Sequence, residues 1–509
     1  MPNTYSNKKA FALCFLWGVV ILFFVSPDSY THDLFYRWDS AWFYTCGKAW
    51  VEGLKPYVDF ADSKGPLLWF IHGIAYIISP YNYLGIFWLS TIAYTIIFYY
   101  DFKIAYLFLN DTKQSTIVTI LTTLAYFNPW YHFEISAEDW CQPILSITYY
   151  HLIKTIYFRN SNNNVVYWAS FVLGFALIWT LLIKFSLTLM LGISACYLLY
   201  FIIREKINLW IPLASFFAGA MLLSFPFILY FFSTGLWDAF INEYFINTIS
   251  TVSTTNPLEE YIHEWLRTVS DAYYTTLVFI CISGSILVTK NLKKDKLFLL
   301  VAFLGFYSIA IHHNIHRHYL NCCLFFSLFF FICLTKHYKT NIEISWNKII
   351  KGVTFFTLCY TILANYFFTE GYIIPNLFFT GQSDRQAYYT VAYYMSQIEK
   401  PTIIYYRFAE RGYGTPIGAL PGSRYWSTQT DPTQDMLEIQ HIDAISGKSD
   451  FIISYATPEN EQLFRQHGYK RLYEFSNLVL YSKYKLKDPP STFKVTIWDV
   501  LFKHNIFPK

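Results

Sequence analysis

"FYRWDSAWFYTCGKAWVEGLKPYVDFADSKGPLLWF" occupies Phe35–Phe70. It carries Asp39, Glu52, Asp59 and Asp62 beside Arg37, Lys48, Lys55 and Lys64, all set among aromatic residues. The chain just before it, Phe11–Val25, is apolar throughout. Similar runs of about 17–25 residues recur as far as Phe368, and about 20 such residues suffice to cross a bilayer as a helix. The quoted stretch is therefore a charged, aromatic loop placed directly after a first spanning helix. How it is threaded decides the topology of everything that follows.

The composition sets the class. Of 509 residues, 54% are hydrophobic and 14% charged, where a soluble domain carries roughly 25% charged residues. The expected fold is an α-helical polytopic membrane protein. After Glu370 the apolar runs stop and Asp, Gln, Arg, Gly and Pro return. That shift predicts a membrane domain over 1–369 and a small soluble α/β domain over 370–509. The net charge of +4 is spread over short loops rather than gathered in a patch, which argues against nucleic acid as a partner. The nine cysteines sit mostly in apolar runs and form no disulfide framework and no CxxC pair. Lys8 and Lys9 precede the first run, and no small-residue cleavage site follows it, so it reads as a retained helix.

Lys and Arg favour cytoplasmic loops, most reliably in short ones. Six Lys-rich segments are assigned there: Lys8–Lys9, Lys103–Lys113, Lys154–Arg159, Arg204–Lys206, Lys290–Lys296 and Lys336–Lys351. The spans then fall at 11–27, 83–102, 115–131, 139–157, 165–182, 186–203, 208–232, 271–289, 297–311, 319–335 and 349–369. The run Pro66–Pro80 would reverse this pattern if it crossed. It is short and bounded by prolines, so it predicts an interfacial or re-entrant helix. About eleven spans put the N-terminus in the cytoplasm and the tail outside it. Segments 28–66, 130–143, 233–270 and 312–319 then share the outer face, with Lys184 at the outer end of its helices. The apolar runs hold few charges at their centres, unlike an ion or proton path.

Each candidate residue has a bland alternative. Trp42, Phe43, Ala49 and Trp50 recur at helical spacing and predict an amphipathic interfacial helix. Asp39, at its start, suits either a helix cap or a reacting carboxylate. Glu134, Glu138 and Asp139 precede the fourth run, where they could serve chemistry or merely a helix dipole. Asp59, Asp62 and Lys64 lie before a Gly65–Pro66 turn. Lys64, Lys184 and Arg317 are outer-face cations, either headgroup anchors or phosphate ligands. His312, His313, His316 and His318 have metal-like spacing, but no Cys or Glu completes a site, and no metal or cofactor is expected.

The first outer loop resembles that of GT-C superfamily glycosyltransferases, such as the protein O-mannosyltransferases and aminoarabinose transferases. The matching residues are Asp39-Ser40, then Pro56-Tyr57-Val58-Asp59-Phe60-Ala61-Asp62-Ser63-Lys64-Gly65-Pro66. "SAEDWCQPILSITYYHLIK" is similar to their second acidic motif, with Glu138 at the matched position, and "YFFSTGLWDAFINEYFIN" and "RHYLNCCLFF" are similar to outer loops of bacterial members. Ser40 departs from the pattern, because many members carry Glu there. The resemblance implies a polyprenyl-phosphate-linked sugar donor and an acceptor (protein, lipid or glycan) outside the cytoplasm. It implies Asp39 as catalytic base, Glu138 as a second catalytic residue that orients the acceptor or Asp39's neighbourhood, and Lys64, Lys184 and Arg317 on the donor phosphate. Asp59, Asp62, Asp139, His318 and Tyr319 would complete the substrate site. The rival class is a transporter or lipid flippase without transferase chemistry. In the tail, 402–406, 450–455 and 477–484 read as strands, and Gly-, Pro- and Arg-rich 407–426 reads as a functional loop or a connector.

Overall fold

The computed structural model describes residues 6–30, 39–128, 135–159, 162–249, 272–310 (Asn291, Lys293 and Lys294 apart), 317–339, 345–368, 383–428 and 432–490, with a few isolated positions. In chain order the first helices are α1 (Asn7–Val25), α2 (Asp39–Val51), α3 (Pro66–Ile78), α4 (Leu84–Leu109), α5 (Thr112–Tyr126) and α6 (Ala137–Phe158). They are followed by α7 (Asn164–Ile183), α8 (Phe185–Arg204), α9 (Trp210–Ser233), α10 (Ala272–Thr289), α11 (Phe298–Ala310), α12 (Ser327–Lys339) and α13 (Trp346–Phe368). A helix lies over each of the eleven runs expected to span. Five of them (α1, α4, α7, α8 and α9) are long and apolar enough to cross a membrane by length and composition.

The chain divides into two compact units. The first comprises Met1–Val25, Ser90–Tyr230 and Thr254–Glu370. Helices in it approach at small residues: a Cβ on Gly174 would strike the Phe216 carbonyl, and one on Gly219 the Phe171 carbonyl. This reciprocal contact brings the α7 and α9 backbones together, the usual way helices associate where the hydrophobic effect cannot drive them. Polar side chains add cross-links. Trp17 Nε1 donates to Thr123 Oγ1 at 3.0 Å, and Asn365 Nδ2 donates to the Phe127 carbonyl at 3.0 Å.

The second unit comprises Ser26–Leu89, Phe231–Ser253 and Gly371–Lys509, so the first loop groups with the tail. In it α2 and α3 lie against each other with Gly47 on the Gly73 backbone, where any side chain would clash. At 13 residues α3 spans about 20 Å, short of the roughly 30 Å hydrocarbon core. That length suits the interfacial helix expected at Pro66–Pro80.

The tail builds a mixed sheet from β1 (Thr402–Tyr405), β2 (Leu420–Pro421), β3 (Phe451–Tyr455), β4 (Lys470–Phe475) and β5 (Leu478–Ser482), in the order β2-β1-β3-β5-β4. β1 runs parallel to β2 and β3, while β5 is antiparallel to both β3 and β4. Helices α14 (Ser383–Met395), α15 (Gln434–Ser446) and α16 (Pro458–Gln466) accompany it. Ile404, Tyr406, Ala444, Ile452, Phe464, Tyr469, Val479 and Tyr481 form the tail's core. Thr433 and Thr457 cap α15 and α16 by accepting from Met436 N and Asn460 N.

Candidate active site

The second unit carries the loop that opened the sequence. Asp39 lies in the first turn of α2, where the helix dipole favours a carboxylate. The turn that follows is held by Tyr57, which adopts φ 64°, a left-handed conformation rare for an aromatic residue. Tyr57 N donates to Phe60 O at 2.8 Å, and its hydroxyl donates to the Lys64 carbonyl at 3.0 Å. Its buried ring packs on Trp69, Phe231, Phe240 and Tyr244. Strain of this kind persists only where the surroundings over-determine it.

That turn separates its two aspartates. Asp59 is exposed and closes the turn by accepting from Lys55 N at 2.7 Å. Asp62 is buried. Its Oδ1 accepts from Ser63 Oγ at 3.3 Å, while Oδ2 is buried with no hydrogen-bond partner among the described residues. Burial pushes the Asp62 carboxyl above its usual range; Lys64 and Ser63 oppose this and Asp39 adds to it. Lys64 Nζ donates to Ser63 Oγ at 3.1 Å. Lys64 and Asp39 thus each lie within electrostatic reach of Asp62, while Asp59 is engaged in the turn.

In the first unit, α6 opens with a capping box made by Ser136 and Asp139. Asp139 Oδ2 accepts from Ser136 N at 2.9 Å and Ser136 Oγ at 2.8 Å. Its Oδ1 accepts from Gln142 Nε2 at 3.0 Å and Tyr94 OH at 3.1 Å. Asn321 Nδ2 lies 3.3 Å from both oxygens. A carboxylate offers about four lone-pair sites, so Asp139 is saturated by the protein. Its neighbour Glu138, 1% exposed, instead meets Lys184 Nζ at 2.6 Å. Lys184 is the single residue joining α7 to α8, and its Nζ lies 3.6 Å from the centre of the Tyr319 ring. The adjacent carboxylates therefore have different work: Asp139 pins the helix start, and Glu138 holds a cation.

Of the remaining expected residues, Arg317 and His318 lie in the 3₁₀ turn Arg317–Leu320, but their side chains fall outside the described set. Glu134, His312, His313 and His316 also lie outside the described residues. All nine cysteines are free thiols.

The structure adds residues that the sequence reading missed. Glu410 Oε1 accepts from Thr45 Oγ1 of α2 at 3.0 Å, and its Oε2 accepts from Trp426 Nε1 at 2.7 Å. Lys48, buried on the same helix, donates to the Ala419 carbonyl. Burial pushes the Glu410 carboxyl up to about 7 against the pull of Lys48, and pushes the Lys48 ammonium down to about 8 against the pull of Glu410 and Glu52. A helix is present where the amphipathic interfacial one was expected, but Ser40–Ala49 are all buried, so it is packed on every side rather than presenting one apolar face. Glu243, on the π-helical turn Ile241–Asn247, pairs with Arg424 and accepts from Tyr425 OH at 3.0 Å. For Glu410, Arg424, Tyr425 and Trp426 the only signal was the unusual Gly, Pro and Arg content of 407–426.

A solved membrane-protein structure shares the fold these elements define. ArnT from Cupriavidus metallidurans bound to undecaprenyl phosphate shares it with a TM-score of 0.60, over 93% of this chain and 98% of that one, at 9% identity. The apo structure of the same protein gives 0.59, over 94% and 99%, also at 9% identity. No protein-family model and no curated protein matches the chain.

Proposed function

We propose that this chain is an integral-membrane glycosyltransferase that moves one sugar from a polyprenyl-phosphate carrier to an acceptor outside the cytoplasm. The observation that carries the reading is Asp39 in the first turn of a buried helix, within electrostatic reach of Asp62, which Lys64 also reaches, in a chain with the fold of ArnT. Loop charges assign this segment, the Glu138 segment and the tail to the outer face of the cell membrane.

In this mechanism Asp39 takes the proton of an acceptor hydroxyl as that oxygen attacks the anomeric carbon. The bond from that carbon to the phosphate oxygen breaks in the same displacement, so the configuration inverts. Its electron pair leaves on the polyprenyl phosphate, which needs cations rather than an acid. Lys64, Lys184 and Arg317 supply them. Glu138 holds Lys184 extended until the phosphate arrives, and Tyr319 supports the same ammonium from its ring face. Asp62, with its buried unpaired oxygen, receives a substrate hydroxyl, and His318 lines the same substrate. Asp59 and Asp139 act at one remove, by shaping the turn and the start of α6.

Undecaprenyl phosphate binding tests this directly. The wild-type chain in nanodiscs binds it, and Lys64→Gln weakens binding by roughly 10–100-fold, the scale of one charge-assisted hydrogen bond. Equal affinity in the variant removes Lys64 from the donor site.

A further inference from the structure

Asp39 is carried by a helix that Tyr44 ties to the nearby Ser79 carbonyl and that two further side chains tie to residues more than 350 positions later in the chain. Thr45 bonds Glu410 and Lys48 bonds the Ala419 carbonyl. The ring of Trp42, one turn from Asp39, lies 5.1 Å from that of the fully buried Trp426. Trp426 also donates to Glu410, so one carboxylate ties the helix to the tail's own indole. The two preceding residues reach the rest of the first loop and the Glu243 turn. The Arg424 carbonyl accepts from Ala61 N at 2.9 Å, next to Asp62. The Arg424 guanidinium and the Tyr425 hydroxyl both engage Glu243.

A buried carboxylate and a buried ammonium are costly, and apolar residues of the same volume would often stabilise as well or better. What directional bonds add is register. With its side chains the helix has a radius of about 5–6 Å, so a rotation of about 20° carries the Asp39 carboxylate about 2 Å. A misplacement of about 1 Å can cost about 100-fold in rate.

We propose that Glu410, with Arg424–Trp426, is a positioning element for Asp39: the soluble domain fixes the rotation of α2 and the place of the Asp62 turn. The proposal rests on the glycosyltransferase reading for its purpose, but its geometry is tested without it.

The test is amide hydrogen exchange on the full-length chain in nanodiscs, for wild type, Glu410→Ala, Glu410→Gln and Trp426→Phe. Glu410→Ala removes both acceptors, while Glu410→Gln keeps one. Trp426→Phe keeps the ring against Trp42 and removes the indole donor. In Glu410→Ala, peptides covering 39–51 exchange roughly tenfold faster, while those covering 451–455 and 478–482 keep their rates within about twofold. Glu410→Gln and Trp426→Phe fall between. Unchanged exchange in 39–51 overturns the proposal. So does faster exchange of the helix and the sheet together, which would make Glu410 a general stabiliser of the domain. If Glu410→Ala does not fold, the two milder variants decide by the same comparison. Undecaprenyl phosphate is titrated into the same samples. Its affinity stays within about twofold in the variants, since Lys64, Lys184 and Arg317 are untouched. Wild type that binds no lipid removes the transferase reading, and leaves the clamp to stand on the exchange data.

Discussion

Replacing Lys184 by methionine removes one half of an ion pair whose two halves differ sharply in solvent access. The Glu138 side chain is 1% exposed and that of Lys184 is 16% exposed, with 2.6 Å between the charged atoms. Without Lys184, Glu138 keeps a buried charge that has lost this cation. Breaking a buried pair in that way costs about 3–5 kcal/mol. Without Glu138, the ammonium still faces the Tyr319 ring and reaches water. Glu138→Gln should therefore cost less, about 1–2 kcal/mol. The double variant removes the stranded charge and should recover part of the Lys184→Met loss, giving a coupling of about 1–3 kcal/mol in a double-mutant cycle. Thermal unfolding in detergent, followed by tryptophan fluorescence, measures all three. A Glu138→Gln cost equal to or above that of Lys184→Met, or a cycle that closes additively, refutes the reasoning.

Two further outcomes follow from the same structure. The Glu410 carboxyl is raised from 4.5 to about 7, so the folded chain holds that proton more tightly than the unfolded one. Its contribution is complete below pH 4.5 and is lost as the pH rises through about 7, by about 3 kcal/mol. Lys48 is lowered from 10.5 to about 8, so its penalty is full below pH 8 and is relieved towards 10.5. Stability should pass through a minimum between pH 7 and 8, and Glu410→Gln should flatten the acid limb; an unchanged limb assigns it to other groups. For topology, in a cysteine-free background Thr457→Cys should react with a membrane-impermeant maleimide from outside the cell and Lys206→Cys should not. Reversed labelling would mean that Pro66–Pro80 crosses the membrane.

Helix positions were legible because apolar runs of spanning length carry their own signal, and the Pro66–Ile78 helix because prolines bound a short apolar run. The strands at 402–405, 451–455 and 478–482 were visible as short buried runs. β4, "KRLYEF", was missed because it is a charged edge strand, which hides the alternation that marks a strand. The division of labour between Glu138 and Asp139 had a readable sign: Ser136 stands three residues before Asp139, the spacing of a capping box. Glu410 had none. Its partner Thr45 is 365 residues away, and no local periodicity records a bond of that separation. The turn at 407–426 declared only that it was unusual; its purpose depends on what it packs against.

The central claim is that Asp39 activates the acceptor. The direct measurement is release of undecaprenyl phosphate from undecaprenyl-phosphate-linked sugar, with cell-envelope extract as acceptor, by purified wild type and Asp39→Asn in nanodiscs. General-base catalysis contributes about 10²–10⁴-fold. The account predicts a loss on that scale in turnover, with undecaprenyl phosphate affinity and melting temperature close to wild type. Turnover by Asp39→Asn within a few-fold of wild type would contradict it.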